Sequence, residues 1–67
     1  MKLSARNTMP GKVVAVTRGA TTAHVKIDVS GTIVTSSITN EAVDELKLSV
    51  GKSAYAVIKA SDVMVGK

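Results

Sequence analysis

The chain has no cysteine, no phenylalanine and no tryptophan, and among its 67 residues it carries one proline, one tyrosine and one histidine. Each absence excludes something. Without cysteine there is no disulfide, and with His24 as the sole histidine a structural zinc site has no ligand set. Tyr55 alone cannot build the stacking platform of a single-strand nucleic-acid binder, where each stacked base contributes about 1–3 kcal/mol. No apolar run approaches the roughly 20 residues of a membrane span. The opening Met1-Lys2-Leu3-Ser4-Ala5-Arg6 turns polar within six residues, unlike a secretory leader. The lack of cysteine suits a reducing compartment. These features together predict a cytoplasmic protein with no membrane partner.

What the chain does have is apolar β-branched sequence and positive charge. Hydrophobic residues make up 45% of it, yet a single domain of this size, residues 1–67, buries only about 60% of its unfolded surface. With disulfides and metal excluded as supports, self-association is the remaining one, and a homo-oligomer is expected. Nine Lys and Arg stand against five Asp and Glu, giving a net charge of +4 and a pI near 9.8. Such a surface attracts anions, polymeric or small. The single aromatic and the scattered cations favour a small one and predict no nucleic-acid partner.

The β-branched residues come in bursts of strand length. A first strand is expected from Leu3 to Asn7, closed by a turn at Met9-Pro10-Gly11, and a second from Lys12 to Arg18 that includes Val14 and Val16. Thr22 to Val29 alternates Ala23, Val25, Ile27 and Val29 with His24, Lys26 and Asp28, the period-two signature of a half-buried antiparallel strand. Ser30-Gly31 signals a tight hairpin back into a strand over Thr32–Thr39. Thr39 or Asn40 can then cap a two-turn helix carrying Val43 and Leu46 on one face. Ser53–Lys59 reads as a further strand and Asp62–Val65 as a short last one. The order predicts an all-β fold with one short helix, a small OB-fold barrel closed on itself to hide its apolar edges.

The chemistry-bearing residues lie at the two ends. Ser4 and Arg6, and likewise Lys59 and Ser61, pair a cation with a hydroxyl at two-residue spacing. On extended backbone such residues face the same way. Arginine offers a planar fork of donors, lysine a compact ammonium, and serine a hydroxyl that donates. This donor set suits a tetrahedral anion if the fold joins the ends. Lys59 also interrupts the apolar Ala56-Val57-Ile58, so it must reach solvent or meet an anion. His24 belongs to the polar face of its strand, and Glu41, Asp44 and Glu45 to a solvated helix face. No cysteine nucleophile, no positioned Ser-His-Asp set and no phosphate-binding G-x-x-x-x-G-K-[ST] loop is present, so no catalytic activity is expected. No metal-ion site is expected either.

Ser4-Ala5-Arg6-Asn7, Gly11-x-Val13, Gly19-Ala20, Ile38-Thr39, Val43-x-x-Leu46-x-Leu48, Gly51 and Ile58-Lys59-Ala60-Ser61-Asp62-Val63-Met64 occur in one order. Together they resemble the Mop (molbindin) family of small molybdate-binding proteins, and the likeness runs from Lys2 to about Val65. The resemblance implies an OB-fold subunit in a homohexamer, a trimer of dimers, with oxyanion sites between subunits. It implies that one subunit supplies Ser4, Ala5, Arg6, Lys59, Ala60 and Ser61, and its partner Thr39 and Ala42. Ala42 replaces the family's usual serine. A second site near the three-fold axis would use Gly19, Ala20, Thr21 and Thr22, with Thr22 in place of the usual asparagine.

The expected function is binding of molybdate, with tungstate as its mimic, for intracellular molybdenum storage or homeostasis, with no organic cofactor. Two other readings stay open. One is a nucleic-acid-binding OB module, and the other is a purely structural oligomerisation module without ligand.

Overall fold

A single twelve-residue strand, Asn7–Arg18, occupies the expected turn at Met9-Pro10-Gly11 and the expected second strand. Ser4–Arg6, expected in a first strand, forms none, and only Asn7 of that strand is extended into a ladder. The protein's structure, a computed structural model, describes residues 4–67, so the expected strand start at Leu3 lies outside the described residues. Strand β1 (Asn7–Arg18) runs straight through Pro10-Gly11. Its first half pairs with β4 (Ser53–Ile58), from Asn7↔Ile58 to Lys12↔Ser53, and its second half with β2 (Thr22–Val29), from Lys12↔Asp28 to Arg18↔Ala23. Pro10 lacks an N–H, but β2 joins only at Lys12, so the second edge beside Pro10 carries no ladder. At Gly11 an added Cβ would stand 2.6 Å from the Asp28 carbonyl oxygen and 2.6 Å from Ile27 Cγ2. Glycine is therefore needed where β1 crosses the end of β2, and the Pro-Gly pair serves a strand crossing rather than a reversal.

The register slips between Val13 and Ala15, which pair with Ile27 and Lys26. Val14 is the extra residue of this bulge, and it is exposed, whereas Val13 is fully buried. A strict period of two therefore does not hold across this strand. It does hold in β2, where Ala23, Val25 and Ile27 are buried and His24 and Lys26 exposed.

Ser30 (φ 51°) and Gly31 (φ 93°) form the tight turn to β3 (Thr32–Thr39), with the positive dihedrals of a type I′ hairpin. The Asp28 carboxylate accepts from the Gly31 N–H at 2.8 Å. Thr39 caps α1 (Asn40–Glu45), its Oγ1 accepting from the Ala42 N–H at 3.0 Å. Val43 is buried against the sheet, while Leu46, expected on the same face, sits exposed at the helix end. The core comprises Val13, Ala23, Val25, Ile27, Val43 and Ala56.

The sheet order is β3-β2-β1-β4. The all-β class with one short helix and an OB-like arrangement is as the sequence predicts, but the barrel is not closed. No ladder joins β3 to β4, because β1 places those two strands on opposite margins of one sheet. The expected last strand is also absent among the described residues. Ala60–Asp62 forms a 3₁₀ turn instead, and Val63 leaves it in extended conformation without a partner strand.

Candidate functional site

The two cation–hydroxyl segments meet. The last rung between β1 and β4 is Asn7↔Ile58, so Arg6 and Lys59 are the residues immediately beyond the ends of the two adjacent strands. Asn7 fixes that rung with its side chain, Nδ2 donating to the Ile58 carbonyl at 3.1 Å. Ser4 and Arg6 are exposed and Ala5 is half-buried, which leaves both polar side chains on the accessible side. Lys59, Ala60 and Ser61 are exposed as well. The 3₁₀ turn contributes backbone donors. Its first bond runs from the Asp62 N–H to the Lys59 carbonyl at 2.8 Å, so the Ala60 and Ser61 amides come before any turn acceptor. The chain segments that carry Ser4 and Arg6 and those that carry Lys59 and Ser61 therefore leave the sheet side by side. Among the described residues neither Arg6 nor Lys59 has an acidic partner.

Thr39 and Ala42 are not brought to this corner within one chain. Thr39 pairs with Thr22 at the start of β2, and Gly19 donates to the Thr22 carbonyl at 2.7 Å. Both therefore belong to the far end of β1. Eleven steps of about 3.3 Å separate the two ends if the strand were straight, comparable with the molecule's longest extent of 33 Å. The segment Gly19-Ala20-Thr21-Thr22 shares this far end with Thr39. Thr39 Oγ1, already accepting from Ala42, keeps its own proton for donation. Ala42 has no hydroxyl and its N–H is engaged by that cap, so it brings no free donor.

The far end is tied together by Asn40, which the sequence marks only as a candidate cap. Asn40 donates through Nδ2 to the Gly19 carbonyl at 3.0 Å and through its backbone N–H to the Thr21 carbonyl at 2.9 Å. Its Oδ1 is buried without a partner among the described residues. An asparagine directly after a threonine cap is the available signal, but its partners are about twenty residues away. Arg18 and Asp44 close the same end with an ion pair of 2.7 Å. His24 stands on the exposed face of β2, opposite Thr17 and Ser37. Among the described residues no group of three metal-ligating side chains occurs, and no helix is long and apolar enough to cross a membrane.

Comparison with known proteins gives this corner its context. The family model described as TOBE domain matches residues 3–65. A probable molybdenum-pterin-binding protein of Haemophilus influenzae is 52% identical, with 98% of this chain and 97% of that protein covered. The solved molybdate-binding protein of Sporomusa ovata superposes with a TM-score of 0.94 at 33% identity, each chain covered completely. The cytoplasmic molybdate-binding protein ModG, solved with molybdate bound, superposes with a TM-score of 0.91 at 49% identity over 96% of this chain and 46% of its own. On sequence and on fold, this chain belongs to the TOBE-domain family and to its small, Mop-type molybdenum-binding branch.

Proposed function

We propose that the protein binds molybdate through the Arg6–Lys59 corner, without catalysing a reaction on it. The observation that supports this reading is the terminal rung Asn7↔Ile58, beyond which Arg6 and Lys59 follow in the chain, neither with an acidic partner among the described residues. Molybdate near neutral pH is a dianion whose four oxygens only accept. The corner offers donors and positive charge: Arg6, Lys59, the Ser4 and Ser61 hydroxyls and the turn amides at Ala60 and Ser61. That related proteins of this fold are named for binding molybdate or a molybdenum-pterin supports the same ligand class here.

The separation of Arg6 from Thr39 supports a site shared between copies. If Thr39 contacts the anion, it comes from a partner chain, because its own Arg6 is at the other end of β1. We accordingly place Ser4, Arg6, Lys59 and Ser61 on one subunit and the Thr39 hydroxyl on its partner in a homo-oligomer, a hexamer by family resemblance, with residues 1–67 acting as one domain. Tungstate matches molybdate in shape and charge and is expected to bind equally. Ala5, Ala60 and Ala42 shape the pocket without donating from their side chains. The Gly19–Thr22 segment is the position of a second, weaker site. Storage or buffering of intracellular molybdenum is the role that a binding module without catalytic residues fits.

Metal analysis of the protein purified from molybdate-supplemented cells tests this reading. Molybdenum should co-purify in stoichiometric proportion to the subunits and disappear from the Arg6→Ala/Lys59→Ala variant. Equal molybdenum in both preparations would refute the site.

A further inference from the structure

We infer that Asn7 is a positioning residue of the binding site: its side-chain amide fixes the spacing of the segments that carry Arg6 and Lys59, without touching the anion. The inference rests on the reading that these two cations hold molybdate. Asn7 is the first residue of β1 and pairs with Ile58, the last of β4. Its Nδ2 donates to the Ile58 carbonyl at 3.1 Å, a bond between residues 51 positions apart. Asparagine is depleted in strands, and its side chain ordinarily bonds to backbone only a few residues away. Here the bond crosses to the neighbouring strand instead. A β-branched residue would suit the strand better, so the amide marks a place where fastening two strands outweighs local preference.

The place of that bond bears on both cations. The Ile58 carbonyl belongs to the planar peptide unit that ends in the Lys59 nitrogen. Holding the carbonyl therefore holds the atom from which Lys59 departs. The Asn7 nitrogen belongs in turn to the peptide unit that begins at Arg6. One residue thus connects the two peptide planes beside Arg6 and Lys59. Among the described residues no turn, cap or side-chain hydrogen bond involves Ser4, Ala5 or Arg6. Lys59 enters the 3₁₀ turn without a side-chain cap. Both cations lie one residue past the end of a ladder, where strands fray. A backbone that must be ordered when the anion arrives weakens affinity, and one ordered beforehand avoids that loss. Asn7 itself is half-buried and shares a face of β1 with Met9, which packs against the core. Its amide nitrogen is committed to Ile58. It positions and does not bind.

Two measurements test this. Asn7→Leu keeps the size of the side chain and removes its donor. Asn7→Ala removes the donor without overpacking, and it decides the matter if the leucine variant does not fold. Molybdate affinity by calorimetry should fall about tenfold in either variant, the scale of ordering one backbone residue, with the number of sites unchanged. The second measurement needs no ligand. The chain has no cysteine, so in Arg6→Cys/Lys59→Cys the one possible disulfide within a chain joins 6 to 59, the next register position beyond Asn7↔Ile58. Its closing rate in a fixed glutathione buffer, read as intrachain product by mass spectrometry, should fall at least about fivefold when either Asn7 substitution is added. Val43→Ala, a core truncation at the other end of the molecule, controls for lost stability and should leave that rate unchanged. Parental molybdate affinity in the Asn7 variants overturns the inference. So does a closing rate that ignores Asn7, or one that falls equally with Val43→Ala. The two readings fail separately. Unequal closing rates in a parent that binds no molybdate defeat the ligand assignment alone. Equal rates in a parent whose molybdate is lost with Arg6→Ala/Lys59→Ala defeat the positioning alone.

Discussion

The two ends of β1 use their polar groups in opposite ways. At the Arg18 end the charge and the donors are partnered: Arg18 with Asp44, and Asn40 Nδ2 and N–H with Gly19 and Thr21. The Ala42 N–H is capped by Thr39, and only the acceptor Asn40 Oδ1 is left over among the described residues. At the Arg6 end a side-chain hydrogen bond from Asn7 to Ile58 fixes the backbone, and the exposed cations beyond it have no counter-charge among the described residues. Polar groups that satisfy one another hold a fold together. Groups left with charge and donors unmatched are available to a ligand. The two ends thus differ in whether their charged side chains are matched within the chain.

The strand that separates the ends is the most sensitive element. Gly11→Ala places a methyl within 2.6 Å of a backbone oxygen, which the ladder can relieve only by shifting. Overpacking of this kind costs about 1–3 kcal/mol, so thermal melts at fixed protein concentration should fall by roughly 4–8 °C per kcal/mol. A melt unchanged from the parent would show that the crossing is looser than described.

At the ligand-facing end, Arg6→Ala and Lys59→Ala should each weaken molybdate binding by at least about 1.5 kcal/mol, the lower end for a hydrogen bond to a charged group. Both variants should melt like the parent, since both side chains are exposed. His24→Ala, away from the corner, should bind normally. Calorimetry showing parental affinity for both cation variants would remove the distinction between the two ends.

At the structural end the effects should be smaller and fall on stability. Thr39→Ala removes the helix cap and should cost about 1 kcal/mol, while Thr39→Ser should keep most of it. If Thr39 also reaches a partner's anion, the alanine variant loses molybdate affinity as well and the serine variant retains it. Arg18→Ala breaks an ion pair between side chains 46% and 69% exposed, and solvent screening limits its effect to about 0.5 kcal/mol or less. A larger drop in the denaturant midpoint would mean that this pair organises the loop rather than decorating it.

The sequence reveals the fold where local rules govern and misleads where distant neighbours do. β2 follows its alternation from Thr22 to Ile27, and Ser30-Gly31 and Thr39 mark the hairpin and the cap, because each rests on neighbours along the chain. Pro10-Gly11 reads as a turn because its explanation, the close approach of β2, lies more than fifteen residues away. Barrel closure fails for a related reason: the edges of β3 and β4 need a covering, and an apolar pattern does not specify that the same chain supplies it. The chemistry of the corner is legible in Ser4, Arg6, Lys59 and Ser61. The nearness of their two chain segments is legible only through family resemblance, since the rung beside them links Asn7 to Ile58, 51 residues apart. The tying role of Asn40 has no local signature, because its partners belong to another loop.

The proposed function rests on a corner that holds only donors and positive charge. Competition calorimetry of bound molybdate against tungstate, sulfate and phosphate in moderate salt is the decisive measurement. Tungstate should compete on equal terms. Sulfate should be weaker, because its shorter bonds leave donors out of reach, each unmade hydrogen bond costing about 1 kcal/mol. Phosphate should be weakest, because its remaining proton meets a donor where it needs an acceptor. The order should survive added salt, which screens long-range attraction but not short desolvated interactions. Displacement of molybdate by an equal concentration of phosphate would overturn the donor-only corner, leaving the basic surface as a general attractor of anions.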